Sequence, residues 1–280
     1  MRFTLKQFFL QLYLRVFDES LFSRSASVAF YFSFALFPLL LFLVNIFGLV
    51  LTHAADLRLE LFIYLQQIMP PTAFHLVQDT VTEVISKSSG GTLTFALLVT
   101  LWSGSTGFDS LRDALNGVYG VKETRAWWKT RVEVVLLTIT IGGLIVLSLS
   151  VMFYGSRVFE WLLPASAPFL LKLLSWATVL VALLLAFALL YKFLPNYRTP
   201  GIKWITPGTI VAVVLWLLLS SCFRIYLQFF NNYANIYGSL GAMIILMFWL
   251  YLTALVILLG GVINAIFDQF SNAGQPEKSS

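Results

Sequence analysis

The sequence predicts an all-α protein, a polytopic membrane bundle of six transmembrane helices with amphipathic segments at its N-terminus and in its first outer loop. Three observations predict it. Hydrophobic residues make up 59% of the 280-residue chain and charged residues only 11%, a composition that no soluble domain of this length tolerates on its surface. Five apolar runs, about 27–52, 132–154, 169–194, 208–230 and 239–267, reach the roughly 20 residues a helix needs to cross a hydrocarbon core of about 30 Å. Lysine and arginine are also distributed unevenly between the segments that join these runs, which is the mark of a fixed orientation in a membrane.

Residues 1–26 come first. Leu5, Phe8, Phe9, Leu12, Tyr13, Val16 and Phe17 recur at helical spacing, opposite Thr4, Gln7, Gln11, Arg15 and Asp18. This pattern predicts a retained helix lying in the membrane interface rather than a cleaved signal. The first crossing follows at 27–52. In the outer connection 53–91, Leu57, Leu61, Phe62, Leu65 and Ile68 form one stripe and Leu76, Val77, Val81, Val84 and Ile85 a second, separated by Pro70 and Pro71. Two amphipathic helices capping the outer face are expected, a structural cap rather than a moving lid.

The segment 92–111 is the ambiguous one. Its clean apolar part, Leu93–Trp102, is half the necessary length, and it ends in Asp109, Arg112 and Asp113. Orientation decides the matter. With six crossings and the N-terminus inside, thirteen Lys and Arg fall on cytoplasmic segments and three, Arg58, Lys87 and Arg157, on outer ones; without this crossing the division is eleven against five. The positive-inside rule therefore favours a crossing that delivers its charges near the inner face and leaves both termini cytoplasmic. The net charge of +5 then records topology, and no nucleic-acid partner is implied.

The inner loop "VKETRAWWKTR", residues 121–131, places Trp127 and Trp128 among Lys122, Arg125, Lys129 and Arg131. Indoles settle at headgroup level and basic side chains attract anionic lipid, so Trp127, Trp128, Lys129 and Arg131 are expected as interfacial anchors. In the next inner loop, Thr206 and Pro207 read as the cap and first residue of the fifth crossing. The turn 231–242 leads into the sixth, with Ser239 as a candidate N-cap and Tyr237 beside it. Residues 271–280 are expected to form a disordered cytoplasmic tail, so that 1–270 is a single membrane domain.

Polar groups at membrane depth are the candidate binding residues. Asp109, Arg112 and Asp113 share a helix face near the inner boundary. Arg224 and Asn45 lie toward the outer side, with Asp56, Glu60, Asp79, Glu83 or a lipid phosphate as the expected partner of Arg224, and Asn264 lies toward the inner side. Polar ends around an apolar middle suit an amphiphile, and they also suit ordinary interfacial polarity. Gly104 with Gly107, Gly142 with Gly143, and Gly260 with Gly261 are expected at close helix contacts. The lone cysteine, Cys222, excludes an internal disulfide and a thiolate cluster, and His53 and His75 are too few for a histidine metal site,. No metal or cofactor is expected, and with no Walker A pattern the chain holds no ATPase of its own.

"SVAFYFSFALFPLLL", "LWSGSTGFDSLRDALNGVYG", "LPNYRTPGIKWITPG", "YANIYGSLGAMIILMFWLY" and "GGVINA" resemble the YihY/BrkB family of bacterial inner-membrane proteins, over residues 20–268. The resemblance implies six helices in a bacterial inner membrane. Some members of that family carry the label virulence factor and some the name ribonuclease BN. Hydrolysis of RNA needs a general acid and base or carboxylates holding divalent metal. The two histidines are predicted outside, and the inner carboxylates are confined to the region of Asp109, Asp113 and Glu123, so no enzyme is expected. Two readings of function remain: translocation of a lipid or other amphiphile, and a structural or assembly role in which the basic-aromatic loop binds a protein partner. Oligomerisation of the chain with itself is compatible with both.

Overall fold

The computed structural model describes residues 5–18, 20–53, 59, 62–63, 78–79, 82–83, 85–86, 90–160, 168–197, 204–229 and 239–272. Among these residues the chain is wholly helical: α1 (Leu5–Asp18), α2 (Leu21–His53), α3 (Gly90–Val118), α4 (Trp127–Glu160), α5 (Pro168–Phe193), α6 (Pro207–Phe229) and α7 (Ser239–Asn272). Five of these helices hold stretches long and apolar enough to cross a bilayer: Leu21–Ile46, Trp127–Ser148, Leu173–Phe193, Pro207–Leu227 and Met243–Phe270. The chain is therefore a multi-pass membrane protein. Helix α3, with 29 residues, is about 43 Å long, but its second half carries the charges that separate it from the other five.

The helices begin and end where local chemistry dictates. Ser20, in the left-handed region with φ 53°, turns the chain from α1 into α2. Helix α3 runs past residue 111 because its charged turns are paired, and it closes in a Schellman motif: Gly120, at φ 66°, donates to Gly117 O and Val121 to Asn116 O, both at 2.9 Å, satisfying carbonyls that would otherwise end the helix unbonded. Helix α6 starts as its sequence suggests, with Pro207 in the first turn and the Thr206 hydroxyl accepting from Thr209 N at 3.3 Å,.

The chain forms two compact units, residues 33–104 and residues 1–32 with 105–280. In the first, Asn45 is buried; its Nδ2 donates to Leu41 O at 2.8 Å and its Oδ1 accepts from the Thr92 hydroxyl at 2.9 Å. The paired amphipathic helices expected over 53–91 lie mainly outside the described residues, as do Asp56, Glu60, Tyr237 and the tail from 273.

In the second unit, α4 packs along α5, α6 along α7 and also against α5, and α1 against α7. Leu111, Leu115, Val134, Leu194, Leu258 and Ile266 are among the most deeply buried side chains. Helix α1 splits its apolar stripe. Phe8, Leu12 and Val16 pack on the core, with the Phe8 ring 5.6 Å from Phe267, while Phe9, Tyr13 and Phe17 are about 60% exposed, a second apolar face suited to lipid.

The junction of α6 and α7 is tighter than side chains permit. Gly208 lies against the Gly260 carbonyl and Asn264, leaving no space for a Cβ, and Gly260 in turn makes room for the Tyr191 hydroxyl. That hydroxyl donates to Ile257 O at 2.8 Å, and Gly208 N donates to Asn264 Oδ1 at 2.8 Å. Asn264 is thus a helix cap supplied by a neighbouring helix. Gly142 and Gly143, expected at a close contact, instead border open space among the described residues.

Candidate functional site

The C-terminal half of α3 and the segment after it carry a dense run of charge, from Asp109 to Glu133. Asp109, Arg112 and Asp113 share a face of α3, as helical spacing requires. Arg112 Nη1 donates to Asp109 Oδ1 at 2.8 Å and Nη2 to Asp113 Oδ1 at 3.0 Å; Nε is also 3.6 Å from Glu123 Oε2. The other Asp109 oxygen accepts from Arg131 Nη1 at 2.5 Å. Asp109 therefore ties α3 to α4, with both guanidinium side chains about 15% exposed.

A second knot lies beside the first. Arg125 donates to Glu123 and Glu133 at 2.8 and 2.6 Å, and to the carbonyls of Leu194 at 2.8 Å and Phe193 at 3.3 Å. The last two are end-of-helix acceptors on α5, so a side chain from another segment caps that helix. Asn116 Nδ2 donates to Glu123 Oε2 at 3.1 Å, while its Oδ1 accepts from Asn196 N at 2.7 Å. Asn196 Nδ2 reaches Lys122 O and Thr124 Oγ1, both at 2.9 Å. The hydrogen bond from the Arg125 side chain holds the Glu123 carboxyl down at about 2 against partial burial, with further help from the Arg125 amide and Asn116. The same bond raises the Arg125 guanidinium above its usual value.

A polar cleft of about 300 Å³ opens beside this cluster, between the start of α2 and the C-terminal half of α3. Arg24, Ser27 and Tyr31 line one wall, and Thr106, Asp109, Ser110, Asp113 and Ala114 the other. The Arg24 guanidinium rests on Gly117, where a Cβ would displace it, and donates to Asp113 O at 3.2 Å. A larger groove of about 740 Å³ between α4, α5 and α6 is almost wholly apolar. Its one hydroxyl, Ser148, is bonded back to Leu144 O at 2.7 Å.

The structure thus joins Asp109, Arg112 and Asp113 and adds Arg131, which turns inward to Asp109 instead of standing at the surface with the indoles. Trp127 and Trp128 are 74% and 60% exposed, and Lys129 Nζ sits 5.4 Å from the Trp128 ring. Asn45 and Asn264 occupy the separate packing roles described above. Arg224 is exposed on α6, and Ser239 opens α7. Sequence reasoning named Glu123 only as a nearby carboxylate and Arg125 only as part of the basic run, and it did not single out Arg24, Asn116, Glu133 and Asn196. The available signal was Glu123 and Glu133, which bracket the basic run at a distance that lets its arginines fold back onto them. Each carboxylate of the cluster faces a guanidinium, and among the described residues no three His, Cys, Asp or Glu side chains gather as metal ligands.

The family described as virulence factor BrkB matches residues 12–280. The chain is 31% identical over 252 residues to the putative ribonuclease-like protein YfkH of Bacillus subtilis, covering 88% of this chain and 90% of that protein. It is 26% identical over 282 residues to a UPF0761 membrane protein of Xanthomonas campestris, covering 95% of this chain but 61% of the relative. Over 105 residues it is 32% identical to a UPF0761 membrane protein of Idiomarina loihiensis, 38% of this chain and 36% of that one. No solved structure matches the chain.

Proposed function

Since this chain belongs to the virulence factor BrkB family and has relatives that are membrane proteins, we propose that it moves a lipid or other amphiphile across or within the bacterial inner membrane. In this reading α3 is the sixth crossing and both termini are cytoplasmic, as the distribution of Lys and Arg favours. The observation that carries the reading is the polar cleft of α2 and α3. Hydroxyls, a guanidinium and carboxylates line it on a protein whose surface otherwise exposes Phe, Leu, Ile and Trp. A headgroup leaving water loses hydration, and polar partners within the protein offset that loss.

The ribonuclease-like name of the Bacillus relative does not carry over on these residues. Hydrolysis calls for a general acid and a general base poised together or carboxylates converging on metal. Here Asp109, Asp113, Glu123 and Glu133 are interleaved with arginines. A structural role through residues 121–131 is favoured by the exposure of Trp127 and Trp128. Inward pairing of Arg125 and Arg131, however, leaves Lys122 and Lys129 as the exposed cations of that loop, too few for a strong anionic surface to be the main partner.

The test is transbilayer movement of fluorescent phospholipid in vesicles reconstituted with the purified protein, read by dithionite quenching with and without an imposed proton gradient. Quenching beyond the outer-leaflet fraction, absent from protein-free vesicles, is expected. Identical traces under both conditions would remove translocation and leave the structural reading.

A further inference from the structure

Within that translocation reading, we propose that the cleft of α2 and α3 recognises a phosphoester bearing a primary ammonium, the headgroup chemistry of phosphatidylethanolamine.

Three features select this class. The first is charge balance. Arg24, Arg112, Arg125 and Arg131 stand against Asp109, Asp113, Glu123 and Glu133, so the cluster with its cleft is electrically neutral when fully ionised. A ligand with net charge would leave an uncompensated charge among these matched pairs, whereas a zwitterion adds none. The second is the arrangement of the two signs. Arg24 supplies guanidinium N–H groups suited to phosphate oxygens. Asp113 supplies the carboxylate: it is 66% exposed, and its contacts with Arg112 all fall on Oδ1. Its Oδ2 is therefore available to an ammonium, while Asp109 has both oxygens occupied.

The third is the state of the hydroxyls. Elsewhere in the helices Ser25, Thr100, Thr138, Ser148, Thr178 and Ser221 each donate to the carbonyl four residues back, the usual way a hydroxyl is satisfied in an apolar setting. Around the cleft, Ser27, Tyr31 and Ser110 are engaged in no such bond among the described residues. Their oxygens can accept from an ammonium or donate to a phosphate. A primary ammonium offers three N–H donors and uses these acceptors. A trimethylated ammonium offers none and binds through aromatic cages, for which the cleft has Tyr31 alone. At about 300 Å³ the cleft lies at the lower end of ligand-pocket sizes, suited to a headgroup with its acyl chains outside.

The experiment is native mass spectrometry of the full chain in mild detergent, titrated with phosphatidylethanolamine, phosphatidylglycerol and phosphatidylcholine of identical acyl chains. Wild type is expected to retain phosphatidylethanolamine at least tenfold more strongly than the other two. Asp113→Asn and Ser110→Ala should each abolish most of that preference while leaving the melting temperature within about 2 °C of wild type. Competition by free phosphoethanolamine separates the sources: no displacement at millimolar concentration assigns the site to membrane lipid, and displacement together with binding of the free compound assigns it to a soluble phosphoester. Equal retention of the three lipids, or an unchanged preference in both folded variants, would overturn the proposal. The vesicle assay run with each labelled lipid keeps the two readings apart, since equal movement of all three refutes the headgroup preference alone, and movement of none refutes translocation.

Discussion

Removing the Arg125 side chain should destabilise the protein more than any other truncation in the loop between α3 and α4. Arg125→Ala strands two carboxylates and two helix-end carbonyls at once. The Glu123 carboxyl, moved from 4.5 to about 2, corresponds to roughly 3 kcal/mol of stabilisation at neutral pH. Its side chain is 24% exposed and shares the effect with Asn116, so water screening and that second partner bring the portion owed to Arg125 to about 2 kcal/mol. At the low end of the conversion for chains of this size, that is a melting temperature lower by about 4 °C. Intrinsic fluorescence of the eight tryptophans during heating in detergent reads it without thiol dyes, which would label the exposed Cys222 in the native state. Arg125→Lys should recover part of the loss, since an ammonium cannot span the same four acceptors. Lys122→Ala, at an exposed position, should not move the transition. An Arg125→Ala protein melting within 1 °C of wild type would refute the view that this side chain holds these helix ends together.

The same carboxyl gives a pH dependence. Its folded value is depressed, so its contribution is present in full above about 4.5 and is lost as pH falls from there toward 2; the melting temperature of wild type should drop through that window, and that of Arg125→Ala should drop less. Gly208→Ala should reduce the yield of monodisperse protein in size-exclusion chromatography severely, because its Cβ meets backbone and the Asn264 amide, whereas Gly143→Ala, with open space around it, should hold or raise the melting temperature by the helix-propensity difference of up to about 1 kcal/mol. Trp127→Ala with Trp128→Ala should leave the melting temperature in detergent unchanged within about 1 °C. Loss of a stoichiometric co-purifying protein in that double variant would support the structural reading of the loop.

The apolar runs were legible because membrane helices are specified locally: length and composition suffice to find α2, α4, α5, α6 and α7, and the Thr206–Pro207 start of α6 follows from two adjacent residues, whereas α2, α4 and α7 extend past the apolar runs 27–52, 132–154 and 239–267 into polar turns. The shared face of Asp109, Arg112 and Asp113 was legible for the same reason, since helical geometry alone fixes it. What sequence periodicity could not supply is partner choice between elements. Arg131 belongs by spacing to the basic-aromatic run, yet its partner lies 22 residues earlier on α3. Asn116 and Asn196, 80 residues apart, meet because α3 and α5 end at the same level, a tertiary fact that neither segment encodes. Asn264 reads as an intramembrane polar group of possible function, and its carbonyl is instead spent on the first turn of α6. The two stripes of α1 were merged into one because an apolar residue facing a protein neighbour and one facing lipid have the same composition.

The cap that Asn264 places on Gly208, together with the Tyr191 hydroxyl seated over Gly260, has a mechanical consequence. Helix α6 cannot slide along α7 by even one residue without losing the amide's acceptor and driving a carbonyl into Gly208, and α5 is anchored to the same spot through Tyr191. These three helix ends are locked to one another at a single register, so relative sliding of α5, α6 and α7 at this point breaks hydrogen bonds and closes contacts that only glycine allows.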